Sequence, residues 1–111
     1  EEKQRSRSKP PIFPDNAEIS IKKENSIYSA GYPKAESTDG MPVFIYRAFV
    51  YDENGKEIAS GKTVPSYYLF RSEEILTTDL GPLPKGKYTV KITAENVYGL
   101  QSEYIEKTIE I

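Results

Sequence analysis

Between Lys87 and Glu95 apolar and polar residues alternate without a slip. Tyr88, Val90, Ile92 and Ala94 project one way, and Lys87, Thr89, Lys91, Thr93 and Glu95 the other. A period of two scatters side chains around a helix, so the segment is an extended strand with one face on a core and one in water. The rest of the chain must then supply a second layer to cover the apolar face.

The same pattern recurs along the chain. Ala17, Ile19 and Ile21 alternate with Glu18, Ser20 and Lys22. Ile27 to Tyr32 is extended and stops at Pro33, and "PVFIYRAFVYD", Pro42 to Asp52, is rich in β-branched and aromatic residues. Asn54-Gly55 within "DENGKE" is a hairpin signal, with a return strand through Ile58 and Ala59. Glu74 to Leu80 reads as a further strand, and Gly81-Pro82, Pro84 and Gly86 mark a corner. In the last strand, Tyr104 to Ile111, Ile105, Ile109 and Ile111 share a face with Lys107 among them. Pro65 bars a central-strand position, and Ser72 to Ile75 would make one helical turn; nothing longer carries a 3.6-residue apolar stripe. About seven short strands joined by turns predict an all-β fold, an antiparallel β-sandwich, with a barrel as the alternative.

Composition narrows the function more than it names it. With 111 residues, 37% of them hydrophobic, the chain suits one small domain. The absence of cysteine removes disulfides and thiolate zinc sites, and the absence of histidine removes the commonest general base and transition-metal ligand. A net charge of −2 gives no global attraction to nucleic acid, and no apolar run reaches the roughly 20 residues of a membrane helix. The first residue is Glu1 and the only methionine is Met41, so a piece of a longer polypeptide is expected. Residues 1–14, "EEKQRSRSKPPIFP", are charged and then proline-rich and read as a linker; the basic Arg5, Arg7 and Lys9 are diluted by Glu1 and Glu2. Residues 15–111 form the expected sandwich.

"LPKGKYTVKITAENVYGLQSE", Leu83 to Glu103, resembles the last third of a fibronectin type III domain, with Leu83, Gly86, Tyr88, Val90, Ile92, Ala94, Gly99 and Ser102 in the matching places. "AESTDGMPVFIYRAFVYDENGKEI" is similar to the second-to-third-strand region of bacterial members. The tryptophan usual near the end of the second strand is absent, and Tyr32 in "GYPKA" is its nearest stand-in. The resemblance implies a fibronectin type III, immunoglobulin-like β-sandwich of bacterial type. The whole stretch is also similar to the C-terminal domain of secreted calcineurin-like metallophosphoesterases. That likeness implies a secreted or periplasmic, or cell-surface, protein whose chemistry lies on another domain of the parent.

Each candidate site has a plain structural explanation beside it. Tyr88 beside a Pro/Gly corner suits a core ring whose hydroxyl caps backbone, and Asn96 suits the same service in a loop. Asp52 and Glu53 offer oxygen ligands for a hard cation, but "DENG" is explained by turn chemistry, and no metal, cofactor or catalytic residue is assigned. Tyr67, Tyr68 and Phe70 in "YYLF" are candidate ligand aromatics for sugar rings; an edge strand that buries two of the four is the alternative. In the third strand Tyr46, Ala48 and Val50 share one face. Ile45, Arg47, Phe49 and Tyr51 share the other, which Arg47 assigns to the outside. A partly exposed apolar strip beside a cation has the composition of a protein interface, unless neighbouring side chains or Ile12 and Phe13 cover it. The expected function is a non-catalytic accessory domain that packs on the catalytic domain of its parent chain or on another protein, with no role for nucleic acid or membrane. A carbohydrate-binding or adhesion module is the alternative.

Overall fold

The computed structural model describes residues 9–38, 40, 43–64 and 75–111. Seven strands lie among them: β1 (Ser20–Glu24), β2 (Ile27–Pro33), β3 (Val43–Tyr51), β4 (Glu57–Thr63), β5 (Ile75–Gly81), β6 (Lys87–Asn96) and β7 (Ile105–Glu110). They form two antiparallel sheets, β1-β2-β5 and β4-β3-β6-β7, packed face to face as a β-sandwich.

Local chemistry explains the turns. Asn25 and Ser26 both have positive φ (51° and 69°), as the two-residue turn between β1 and β2 requires. At the β3–β4 turn the Asp52 carboxylate accepts from the N–H groups of Asn54 and Lys56, both at 2.9 Å, while Gly55 takes φ 80°. At the corner before β6 the Tyr88 hydroxyl donates to the Pro84 carbonyl at 2.6 Å. Asn96 Oδ1 accepts from Tyr98 and Leu100 after β6.

The alternation of β6 is obeyed, with Tyr88, Val90, Ile92 and Ala94 all buried. They lie beside Tyr46, Ala48 and Val50 of β3 in the same sheet and join Tyr28, Ala30 and Tyr32 of β2 and Leu76 and Leu80 of β5 from the other sheet in one hydrophobic cluster. Tyr32 and Tyr46 stack obliquely, ring centroids 5.3 Å apart, and Phe13 packs on Tyr46 at 6.1 Å. Phe13 thus belongs to the core. The segment before β1 is tied down further by paired backbone hydrogen bonds between Ile12 and Glu36 and by a bond from Asn96 Nδ2 to the Lys9 carbonyl.

The sheets meet most closely where β4 faces β5. Gly61 sits opposite Ala48, and a Cβ there would collide with the Asp79 carbonyl oxygen and stand 2.8 Å from Thr78 Cγ2. Only glycine lets the two edges close. A chain of hydroxyls seals the contact: Tyr32 to Thr78 at 2.7 Å, Thr78 to Thr63 at 2.6 Å, and Thr63 to the Thr77 carbonyl at 3.0 Å. Among the described residues, no buried side-chain nitrogen or oxygen lacks a hydrogen-bond partner.

Two predictions follow from this packing. Gly61→Ala destabilises the fold by about 1–3 kcal/mol through forced separation of β4 from β5. Gly31→Ala, whose Cβ would meet nothing nearer than 3.5 Å, stays within about 0.5 kcal/mol of the parent. Thermal or urea unfolding of both checks this, and equal loss in the two removes the close-approach argument.

The second concerns Tyr46. Burial pushes its phenol from the ordinary value of 10 up to about 12, against the lowering influence of its bond from the Ala35 N–H at 3.0 Å. The native state therefore holds this proton more tightly than the unfolded chain does. The resulting stability is complete below pH 10 and is lost as pH rises through about 12. Phenolate absorbance followed through alkaline titration should show this tyrosine ionising late and cooperatively with unfolding. In Tyr46→Phe one late-ionising phenol is lost, while Tyr32, also pushed up by burial, remains, and loss of the acceptor for Ala35 costs about 1–3 kcal/mol.

Candidate functional site

The outer face of the four-stranded sheet carries the strip expected from the sequence, with one correction. Phe49 and Tyr51 are half-buried and Arg47 is partly exposed, whereas Ile45 is closed off at 5% exposure. Thr93, which pairs with Arg47 and so also faces outward, is fully buried and bonded to the Ser102 carbonyl at 2.9 Å. The connection from β6 to β7 therefore runs back along this end of β6, where Ile45 lies beside Glu95. Ile45 is thus not available for contact. A bulge between Val43 and Ile45 leaves Phe44 half-exposed instead.

What remains open is a band of rings and charges. Phe49 meets Tyr104 edge-on with centroids 6.3 Å apart, and Tyr104 is 47% exposed. Arg47 Nε lies 3.7 Å from the Glu95 carboxylate, which also accepts from Gln101 Nε2 at 3.1 Å. Lys91 stands 5.5 Å from the Tyr51 ring centroid and 3.9 Å from Glu106. The Tyr51 phenol is pushed up from its ordinary value, first by loss of solvent and then by the neighbouring Glu57 carboxylate and Tyr104.

Tyr104 also borders a groove of about 500 Å³ between the Pro10 to Asp15 segment and Glu103 to Ile105. Neither Ile12 nor Phe13 covers the strip. Phe13 turns into the core, and Ile12 is exposed beside the groove. Tyr104 and Phe44 were not singled out in the sequence. Tyr104 was within reach, because it precedes inward-facing Ile105 by one residue and so must face outward. Phe44 was not, because the bulge breaks the alternation that would have placed it.

The other candidates resolve into structural roles or fall elsewhere. Tyr88 and Asn96 cap backbone groups as expected, and Asp52 is occupied by its own turn. No group of three or more acidic, histidine or cysteine side chains able to hold a metal ion occurs among the described residues. Tyr67, Tyr68 and Phe70 lie outside the described residues.

No protein-family model matches the chain, and no curated protein matches it. The fold therefore rests on geometry. A three-stranded and a four-stranded antiparallel sheet, with a tyrosine that closes the corner onto backbone four residues upstream, are compatible with an immunoglobulin-like or fibronectin type III-like sandwich.

If Phe49 and Tyr104 form one surface unit, their effects on stability are coupled. A double-mutant cycle of Phe49→Ala and Tyr104→Ala should give a coupling of about 0.5–1.5 kcal/mol by denaturant unfolding. Additive effects would mean the rings act separately.

Proposed function

We propose that the chain is a non-catalytic accessory domain of fibronectin type III-like kind, which packs on a catalytic domain of its parent polypeptide through the outer face of β3. The observation that carries this reading is the band of Arg47, Phe49, Tyr51 and Tyr104. It combines half-exposed aromatic rings with an arginine on a rigid central strand, the composition enriched at protein interfaces. The docking of residues 9–14 onto the sandwich supports it as well. A preceding domain would be joined through a segment held by Phe13 and the Ile12–Glu36 bonds, so its position relative to the strip would be restrained. The parent, a secreted bacterial enzyme of the calcineurin-like metallophosphoesterase kind, is proposed from the sequence likeness alone.

The test is Phe49→Asp, made in this chain and in the full native polypeptide once mass spectrometry has defined it. This chain should keep its fold, with circular dichroism unchanged, because Phe49 is not part of the main core. In the native polypeptide, limited proteolysis between the domains should accelerate several-fold. Unchanged protease resistance would overturn the reading, and saturable quenching of tyrosine fluorescence by a polysaccharide would move it to a carbohydrate-binding module.

A further inference from the structure

Among the described residues, each sheet has one edge that is covered and one that is open. β4 and β5 close on each other at Gly61, whereas β1 and β7 end their sheets with no further strand among the described residues. An open edge offers a row of unpaired N–H and C=O groups to any extended chain. On both open edges, a core-facing position is occupied by lysine.

Register places them. On β1, Ile21 pairs with Ala30 and Lys23 with Tyr28, both partners facing the core, and Lys23 Nζ lies 5.6 Å from the Tyr28 ring centroid. On β7, Ile105 pairs with Ile92, Lys107 with Val90 and Ile109 with Tyr88. Lys107 therefore stands between two isoleucines that pack against the core, opposite a fully buried valine. At an edge a lysine tolerates this, because its stem lies along the apolar surface while the ammonium passes the rim into water. A strand added outside β7 would block that route.

The sequence of β7 singles out which strand would otherwise be added. Directly opposed residues of an antiparallel pair share a face, so two copies of β7 can keep their isoleucines on the core side only in registers that pair odd positions with odd. One of these registers sets Ile105 against Ile109 at both ends and Glu106 against Thr108 on the outer face. Its two-fold axis passes through position 107. In every other respect this pairing is favourable and closed by symmetry, but it places two ammonium groups directly opposite each other.

We propose that β7 is a self-complementary edge kept unpaired by Lys107, and that a second copy of this chain is the partner it would take if that charge were removed. Lys23 plays the corresponding part on β1. The inference is independent of the contact proposed for the outer face, since one uses the side chains of a sheet face and the other its backbone edge.

The experiment compares Lys107→Val, Lys107→Thr and Lys107→Glu with the parent chain by light scattering over a wide concentration range, with amide hydrogen exchange on any associated form. The valine and threonine variants should double in mass as concentration rises, with exchange slowed at least tenfold along Ile105–Glu110. The parent and the glutamate variant, which sets like charges on the same axis, should stay at the monomer mass. Threonine keeps the test open if valine impairs folding. The proposal is overturned by monomeric valine and threonine variants with native circular dichroism, by a dimeric parent, or by association that leaves β7 exchange unchanged.

Discussion

A core built on tyrosines must find a partner for every hydroxyl it buries, and that requirement organises this sandwich. Tyr32, Tyr46 and Tyr88 supply much of the buried volume in a chain without tryptophan. Each hydroxyl reaches the margin of the core and is bonded there: Tyr32 to Thr78 of the neighbouring strand, Tyr46 to the N–H of Ala35 in the loop after β2, and Tyr88 to the Pro84 carbonyl at the corner before β6. An unpaired hydroxyl in such a place costs about 1–3 kcal/mol, so the bonds fix loops as well as rings. The rings bury apolar area without direction; the hydroxyls choose the arrangement.

From the Tyr32 hydroxyl the constraint passes outward. Thr78 receives it and hands it to Thr63, which joins β5 of one sheet to β4 of the other. Gly61 lets the same strands approach until no side chain fits between them. With that flank closed, β1 and β7 are the edges left open among the described residues. The position of the lysines on those edges is therefore connected to the packing of the opposite flank.

Much of this was legible in the sequence, and the exceptions have physical causes. The strands from Ala17 to Ile111 follow hydrophobic period and turn residues, because a sheet with one wet face imposes alternation directly. Tyr88, Asn96 and Asp52 were readable because their bonds span only two to four residues. Ile45 was not. It is buried at 5% exposure on a face that Arg47 marks as outer, and alternation within β3 assigns a face without recording what lies over it. Phe13 was read with the linker because three prolines surround it, yet proline forbids ladder bonds and not the burial of a neighbouring ring. The outer strip was legible as a composition, while its pairing of Phe49 with Tyr104 required the register of β3, β6 and β7 together.

Face and edge make opposite demands on an interaction module. A contact through the face of a sheet uses side chains, so its partner is set by shape and charge and can be restricted to one surface. A contact through an edge uses backbone groups that every extended chain possesses, and it discriminates poorly. A domain whose rings and arginine lie on a face while its open edges carry lysines at core-facing positions has separated the two. The cost falls on the core, where Lys107 takes a place beside Val90 that an isoleucine would fill better. That loss is tolerable because the tyrosine bonds and the β4–β5 closure hold the sandwich from the other flank, so the edge can give up some burial without releasing the register of β6 and β7.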